Sequence, residues 1–289
     1  LKDVRVIIGN PPYSSGQDSA NDNNANIGYP RLDASIRDSY AARSNATLKN
    51  SLYDSYIRAI RWGSDRLGKD GGVMAYVTNA GWLDGNAMDG LRKCLAEEFS
   101  SLYVFHLRGN ARTQGEQRQK ERGNVFGEGS RAPIAITLFV KNPQSTESGK
   151  IHFHDIGDYL SRDEKLNIIT HLRSIKGIEQ AHGWTTVESN EYGDWLNQRD
   201  DSFNDFILMG DKKNKEEIQL FRNYSQGVKT NRDAWCYNAS PAKVEDNMRR
   251  MIDFYNSEVD RYAASGGKNA GLKVNDFINT DPTRISWDH

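Results

Sequence analysis

The residues best suited to chemistry stand near the start of the chain, Asn10-Pro11-Pro12-Tyr13. They come after the apolar run at residues 4–8, a buried-strand pattern that closes at Gly9. Each proline fixes its own φ and steers the residue before it away from helix, so the turn is extended and stiff. Such a turn presents the Asn10 amide, the Pro11 carbonyl and the Tyr13 ring at the carboxyl end of a strand, where open α/β sheets bind ligands. Two neighbouring oxygen acceptors can receive both N–H bonds of an amino group, and a tyrosine can stack on a flat ring. A proline turn with a packed tyrosine uses the same residues and does no chemistry.

The segments that must position this turn read as alternating elements. Residues 52–67 place Leu52, Tyr56, Ile60, Gly63 and Leu67 at helical spacing and run into Asp70-Gly71-Gly72, which predicts an amphipathic helix and a turn. Residues 72–78 come next as a strand whose centre, Val73-Met74-Ala75-Tyr76-Val77, is apolar throughout, as in a buried parallel sheet. A helix over 87–99, a strand over 102–107, a charged glycine-rich loop over 109–132 and a strand over 133–140 complete an α/β pattern. Residues 14–51 are polar and weakly periodic, a long loop with a short helix about 33–43. From Lys150 the pattern changes. A half-exposed strand over 151–156 precedes a helix that starts with the Ser161/Glu164 capping box and ends near Leu172. Beyond it lie a short strand or turn over 203–207 and helices over 215–224 and 241–262, the last with Val244, Met248, Met251, Ile252, Tyr255 and Val259 on its apolar side. The expected division is 1–149 and 150–289, an α/β region and then a mixed α+β region.

Composition sets wide bounds. The 289 residues suffice for one large domain or two ordinary ones, and 38 Lys+Arg against 39 Asp+Glu neither argue for nor exclude nucleic acid. A nucleic-acid binder with this balance must gather its basic residues on one face. Cys94 and Cys236 lack metal-ligand spacing and fit a reducing, cytoplasmic setting without disulfides. No apolar run has the length of a membrane span, and Leu1-Lys2-Asp3 does not begin a signal peptide, so no membrane partner is expected. The chain lacks an initiator methionine and reads as a piece of a longer polypeptide.

With these elements in place, Asn-Pro-Pro-Tyr after a strand resembles the catalytic motif of the γ-type N6-adenine DNA methyltransferases. In that group the order is cofactor site, catalytic motif, target-recognition domain. Tyr53-Asp54-Ser55-Tyr56, the strand and loop over 73–83 and Phe105-His106-Leu107-Arg108-Gly109-Asn110 are similar to the segments downstream of the motif in that group. The chain resembles in particular the large single-chain restriction-modification enzymes, which join nuclease, helicase-like, methyltransferase and recognition modules. Leu107-Arg108-Gly109-Asn110-Ala111-Arg112-Thr113, Gly129-Ser130-Arg131-Ala132-Pro133-Ile134-Ala135-Ile136 and Gly227-Val228-Lys229-Thr230-Asn231-Arg232-Asp233-Ala234-Trp235 carry that similarity. The resemblance implies the C-terminal half of a class I, Rossmann-like methyltransferase sheet. It implies methyl transfer from S-adenosylmethionine to N6 of an adenine flipped out of duplex DNA. In that reading Asn10 and Pro11 accept from the amine, Pro12 stiffens the turn and Tyr13 stacks on the base. Flipping costs a few kcal/mol, and stacking returns roughly 1–3 kcal/mol. The partners implied are duplex DNA, an upstream methyltransferase half, and helicase and nuclease modules of the same polypeptide.

The chain departs from the group in two places. The glycine-rich loop for S-adenosylmethionine and the acidic residue for its ribose precede the catalytic strand there, whereas only nine residues precede Asn10 here. The cofactor site is therefore expected to lie largely outside this chain, the chain alone to be inert, and an apolar edge to show at residues 4–8. Such enzymes also place an aromatic just ahead of the strand matching 133–140, where this chain has Arg131 and Ala132; Phe126 is the candidate to serve instead. Arg108 just before the loop, Arg112 and Arg131 in it, and Lys229 and Arg232 near Trp235, are candidate DNA contacts, although a mixed-charge loop also suits plain solvated surface. His152, His154 and Asp155 have no His or Cys cluster to complete a metal site. Ser265-Gly266-Gly267-Lys268 lacks the spacing of a phosphate loop. Two other readings use the same features: a DNA-recognition or scaffold module without activity, and a methyltransferase acting on RNA or on protein glutamine.

Overall fold

The computed structural model describes residues 4–13, 28–199, 202, 205–212, 214, 216–225, 227, 230, 232–279, 281 and 283–284. The chain divides into two compact units, Leu1–Asp201 and Ser202–His289.

Among the described residues, the first unit holds six strands in one mixed sheet: β1 (Val6–Gly9), β2 (Gly72–Asn79), β3 (Ser101–Arg108), β4 (Ile134–Lys141), β5 (Lys150–Asp155) and β6 (Thr185–Val187). Their order across the sheet is β1-β2-β4-β3-β5-β6. β1 pairs parallel with β2, and β3 parallel with β5. β4 lies between β2 and β3 and is antiparallel to both. β1, β2, β3 and β5 therefore run the same way and end along one edge. β4 starts at that edge, because Ile134 pairs with Asn79 on one side and Arg108 on the other.

This topology corrects the reading of residues 73–77 as the interior of an all-parallel sheet. β2 has one parallel and one antiparallel neighbour, since the chain reverses after β3 and inserts β4 beside it. Met74, Tyr76 and Thr78 are buried on one face, while Val73, Ala75 and Val77 are half-buried on the other. The change in sequence character at Lys150 is not a break in the sheet. β5 and β6 extend it beyond β3, and the compact unit continues to Asp201.

Helices α1 (Pro30–Ile36), α2 (Ser55–Arg66), α3 (Asp89–Glu98), α4 (Gly115–Lys120), α5 (Arg162–Leu172) and α6 (Ile175–Gln180) connect the strands. α1 runs on as a π-helical turn, Arg37–Ala41. One core joins Tyr40, Leu52, Ile57, Ile60, Leu91 and Leu95 to Met74, Trp82 and Phe139 of the sheet region. A smaller core on Phe105, Leu107, Val125, Ile134, Ile156 and Ile178 takes in Tyr13 and the apolar side of α5. Burying each such side chain contributes about 1.5–3 kcal/mol. α5 begins where its sequence indicates: Ser161 and Glu164 form the reciprocal capping box.

Among the described residues, β1 is covered on one face only. Ile7 is buried in the large core, whereas Val6 and Ile8, which alternate with it, are 58% and 81% exposed. The apolar edge expected at residues 4–8 is thus present.

In the second unit, α7 (Asp233–Cys236), α8 (Pro241–Ala264) and α9 (Val274–Phe277) are helical. α8 starts at Ser240, whose hydroxyl accepts from the Lys243 N–H, with proline at the first helical position. Of its expected apolar side Met251 is buried, and Ile252, Tyr255 and Val259 are about half exposed. The helix expected over 215–224 is absent among the described residues. Leu220 and Phe221 instead donate to the Leu208 and Met209 carbonyls at 2.9 and 2.8 Å. Ile218 and Leu220 fit a period of two as well as Ile218 and Phe221 fit a helix, and the tertiary pairing decides between them. Residues 203 and 204 of the segment expected over 203–207 lie outside the described residues.

Candidate active site

The 10–13 turn leaves β1 at the shared carboxyl edge. Asn79, the last residue of β2, holds it there: its Nδ2 donates to the Tyr13 carbonyl at 3.2 Å, and its Oδ1 accepts from the Gly81 N–H at 2.8 Å. The Asn10 side chain is exposed, and the Tyr13 hydroxyl donates to its Oδ1. Burial raises the Tyr13 hydroxyl above its ordinary pKa, with the Asn10 hydrogen bond acting in the opposite sense, so the group stays a protonated donor at neutral pH. The Tyr13 ring lies 5.4 Å from that of Phe126, centroid to centroid, with 31° between the planes.

Phe126 reaches Tyr13 from the loop between β3 and β4. β3 ends in a bulge between His106 and Arg108, after which Arg108 and Gly109 take φ of +55° and +95° and turn the chain sharply off the sheet. The loop includes α4, a short helix inside the segment expected to be irregular, and returns to β4 along the same edge. Arg162 of α5 donates to the Val125 carbonyl at 3.1 Å and ties the returning arm to the second core. Arg131, Ala132 and Pro133 stand before β4, and Phe126, 44% exposed, is the ring that meets Tyr13 at this edge.

Beneath the bulge lies an ionic network. Arg108 pairs with Asp155 at 2.7 Å and Asp158 at 2.5 Å, and Asp155 also faces His106 at 3.3 Å. Burial alone would raise the Asp155 carboxyl. Hydrogen bonds from His106, Arg108 and the Gly157 N–H overcome that and hold it well below the carboxylate range. Lys165 of α5 is fully buried and donates to the Leu107 carbonyl at 2.9 Å. Burial pushes its ammonium down to about 8, with Glu121 partly opposing.

The candidate DNA contacts separate in this arrangement. Arg108 turns inward to carboxylates. Arg112 is exposed and lines a cavity of about 310 Å³ with Asp54, Asn79, His106, Asn110 and Glu121 on its polar side and Tyr56, Leu83 and Met88 on its apolar side. Arg131 is exposed, and its carbonyl accepts from the Ala111 N–H at 3.0 Å. Arg232 is half-buried in the second unit, just before α7. Lys229 lies outside the described residues. The turn's four residues and Phe126 are the predicted site residues that come together. Asn79 joins them, and Lys165 holds the end of β3 from which the loop departs, neither having been expected from the sequence. A polar residue closing an apolar strand is the one signal that could have marked Asn79. His152 and His154 serve packing, the first stacked on Tyr103 at 4.5 Å and the second bonded to the Gly183 carbonyl at 2.7 Å.

With the geometry of the turn and its sheet described, comparison with known proteins gives the class. Residues 3–112 match the Eco57I restriction-modification methylase family, and residues 219–289 match the Type ISP C-terminal specificity domain. The chain therefore carries a restriction-modification methylase segment of the Eco57I kind, with a Type ISP specificity segment after it. Among solved structures it is similar to a nuclease-deletion mutant of the Type ISP restriction-modification enzyme LlaGI in complex with a DNA substrate mimic (45% identity over 98% of this chain and 26% of that one, TM-score 0.78). It is also similar to the ATP-dependent Type ISP enzyme LlaBIII bound to DNA (41% identity over 88% of this chain and 16% of that one, TM-score 0.76). A third similar structure is the DrdV–DNA complex (35% identity over 89% of this chain and 25% of that one, TM-score 0.73). The chain thus spans about a quarter or less of the length of these relatives. No curated protein matched it. Among the described residues no helix is long and apolar enough to cross a membrane.

Proposed function

We propose that this chain supplies the base-binding part of an adenine-N6 DNA methyltransferase within a restriction-modification enzyme. The observation that carries the reading is the placing of Asn10 and Pro11 at the carboxyl end of β1, with the Tyr13 ring facing Phe126. The lone pair of adenine's exocyclic amine is delocalised into its ring, which makes it a poor nucleophile. The Asn10 side-chain oxygen and the Pro11 carbonyl accept from its two N–H groups, hold it in one orientation and favour charge developing on nitrogen. Proline rigidity keeps both acceptors in place before the base arrives. Tyr13 and Phe126, whose rings meet at 5.4 Å, form an aromatic pair that parts to stack on a base removed from the helix. Arg112 and Arg131, exposed on the same loop, are placed to meet phosphates beside the flipped nucleotide; Lys229 and Arg232 would act from the specificity segment.

The methyl donor in this reading is S-adenosylmethionine. At this edge the glycine-containing turn that joins β2 to α3, with Gly81 and Gly85, follows the 10–13 turn in sequence and folds into short helical turns, and no described residue is assigned to the donor. The uncovered face of β1 supports a further methyltransferase segment packing there, with helicase and nuclease modules elsewhere in the same polypeptide. The test is transfer of labelled methyl from S-adenosylmethionine to duplex DNA by the natural-length polypeptide that carries this chain. Transfer is expected from the parent and lost in Asn10→Ala. Transfer that survives Asn10→Ala overturns the reading, and transfer by the isolated chain overturns the placing of the cofactor site outside it.

A further inference from the structure

The loop over 109–132 leaves one strand and returns to the next, and a single side chain closes it. Asn124 Nδ2 donates to the Gly109 carbonyl at 3.1 Å and to the Ala132 carbonyl at 2.9 Å, at the two ends of the loop. Asn124 Oδ1 accepts from the Phe126 N–H at 2.9 Å. Both amide N–H groups and the amide oxygen are thus used, two bonds on the loop's base and one on the residue that carries the ring. The backbone makes room for this. Gly109 has φ of +95°, and a Cβ there would lie 3.0 Å from Asn124 Nδ2 and 3.1 Å from its Cα.

We propose that Asn124 is the positioning residue for Phe126, fixing the second aromatic face of the base site by bonding the loop's two ends and the Phe126 N–H at once. The proposal rests on the reading of Tyr13 and Phe126 as the stacking pair. Asn124 touches no substrate. It acts by tying the backbone that carries Phe126 to both ends of the loop, which keeps the ring beside Tyr13 where the base enters.

A double-mutant cycle in the natural-length polypeptide tests this, reading single-turnover methyl transfer at saturating duplex DNA, with KM for DNA alongside. Phe126→Ala is expected to lower the rate by roughly fivefold to a hundredfold, the worth of one stacked ring. Asn124→Ala is expected to fall within the same range, with KM changed by less than about threefold, and to cost nothing further in the Phe126→Ala background. A residue that merely stabilises the fold would lower the rate equally in both backgrounds. If Asn124→Ala does not fold, Asn124→Asp takes its place in the cycle, because it keeps the oxygen facing the Phe126 N–H and loses both donors. Multiplicative losses, or an Asn124 variant as fast as the parent while Phe126→Ala is slow, overturn the proposal alone. A Phe126→Ala variant as fast as the parent overturns the stacking role and the proposal with it, and a parent that transfers no methyl overturns the underlying function.

Discussion

The turn at residues 10–13 and the loop over 109–132 each deliver one aromatic ring to the same contact, and they are built differently. The turn is contiguous and stiffened by its own covalent geometry, with two prolines and one strand end. Among the described residues, what it takes from the rest of the molecule is one hydrogen bond, from Asn79, and the packing of Tyr13 against the second core. The loop has no such covalent stiffness. Its shape comes from hydrogen bonds, some within it, as those of Asn124 to its two ends, and others from residues distant in sequence: Arg162 on the Val125 carbonyl, Lys165 on the Leu107 carbonyl where the loop leaves β3, and the start of α5 packed where Gly123 passes. A site made of one self-sufficient half and one assembled half should fail in two ways. Damage to the turn should remove chemistry and leave the fold, whereas damage around the loop should cost stability first.

Asn10→Ala gives the largest effect expected of the first kind. Loss of one preorganised group facing developing charge costs about 10²–10³ in rate, so methyl transfer should fall by that much. Because Asn10 is exposed, the melting temperature should stay with the parent. A variant that melts early would show that the turn is not self-sufficient. Gly123→Ala gives the matching effect of the second kind. Gly123 has φ of +74°, and an added Cβ would sit 2.4 Å from the Leu160 carbonyl oxygen. The left-handed backbone and the clash together should cost roughly 2–3 kcal/mol in chemical denaturation. An unchanged midpoint would mean that the loop floats free of α5.

The same contrast explains what could be read from the amino acids. The strands and α2, α3, α5 and α8 arise from periodicity and capping, which are local, and the reactive turn is four adjacent residues. The insertion of β4 between β2 and β3 depends on which strands pair, and no local pattern encodes it. The run Val73-Met74-Ala75-Tyr76-Val77 looks the same beside a parallel or an antiparallel neighbour. Phe126 could be singled out as an aromatic near the right strand, but Asn79 and Lys165 gain their roles only when the carboxyl ends of β1, β2 and β3 meet. The expected helix over 215–224 failed for a related reason: its apolar residues suit two periods, and a partner at 208–209 selects the extended one.

Lys165 sharpens the loop side of the comparison through pH. Its folded pKa of about 8 lies below the ordinary 10.5, so the unfolded chain holds more protons across that interval. Stability from this group therefore rises as pH climbs from about 8 towards 10.5, and below about 8 the full penalty of burying the charge stands. Relative to Lys165→Met, the parent should gain on the order of 1–3 kcal/mol between about pH 7 and about pH 10 in urea denaturation. Parallel stability curves for the two proteins would show that the Lys165 ammonium is not desolvated beneath the bulge.

The smallest expected effect tests the turn from within. The Tyr13 hydroxyl donates to Asn10 Oδ1, the atom proposed to receive the amine of the base. The base must therefore displace or share that donor on entering. Tyr13→Phe keeps the ring against Phe126 and removes the competitor, so stacking is retained and the acceptor is open from the start. A neutral hydrogen bond is worth about 0.5–1.5 kcal/mol net, and the single-turnover rate at subsaturating DNA should rise by roughly twofold to tenfold. Asn10→Ala combined with Tyr13→Phe should show no such gain, because the acceptor that the hydroxyl occupies is gone. A fall in rate for Tyr13→Phe alone would mean that the hydroxyl holds the Asn10 amide in its working orientation. The turn would then depend on that internal hydrogen bond as the loop depends on its distant ones.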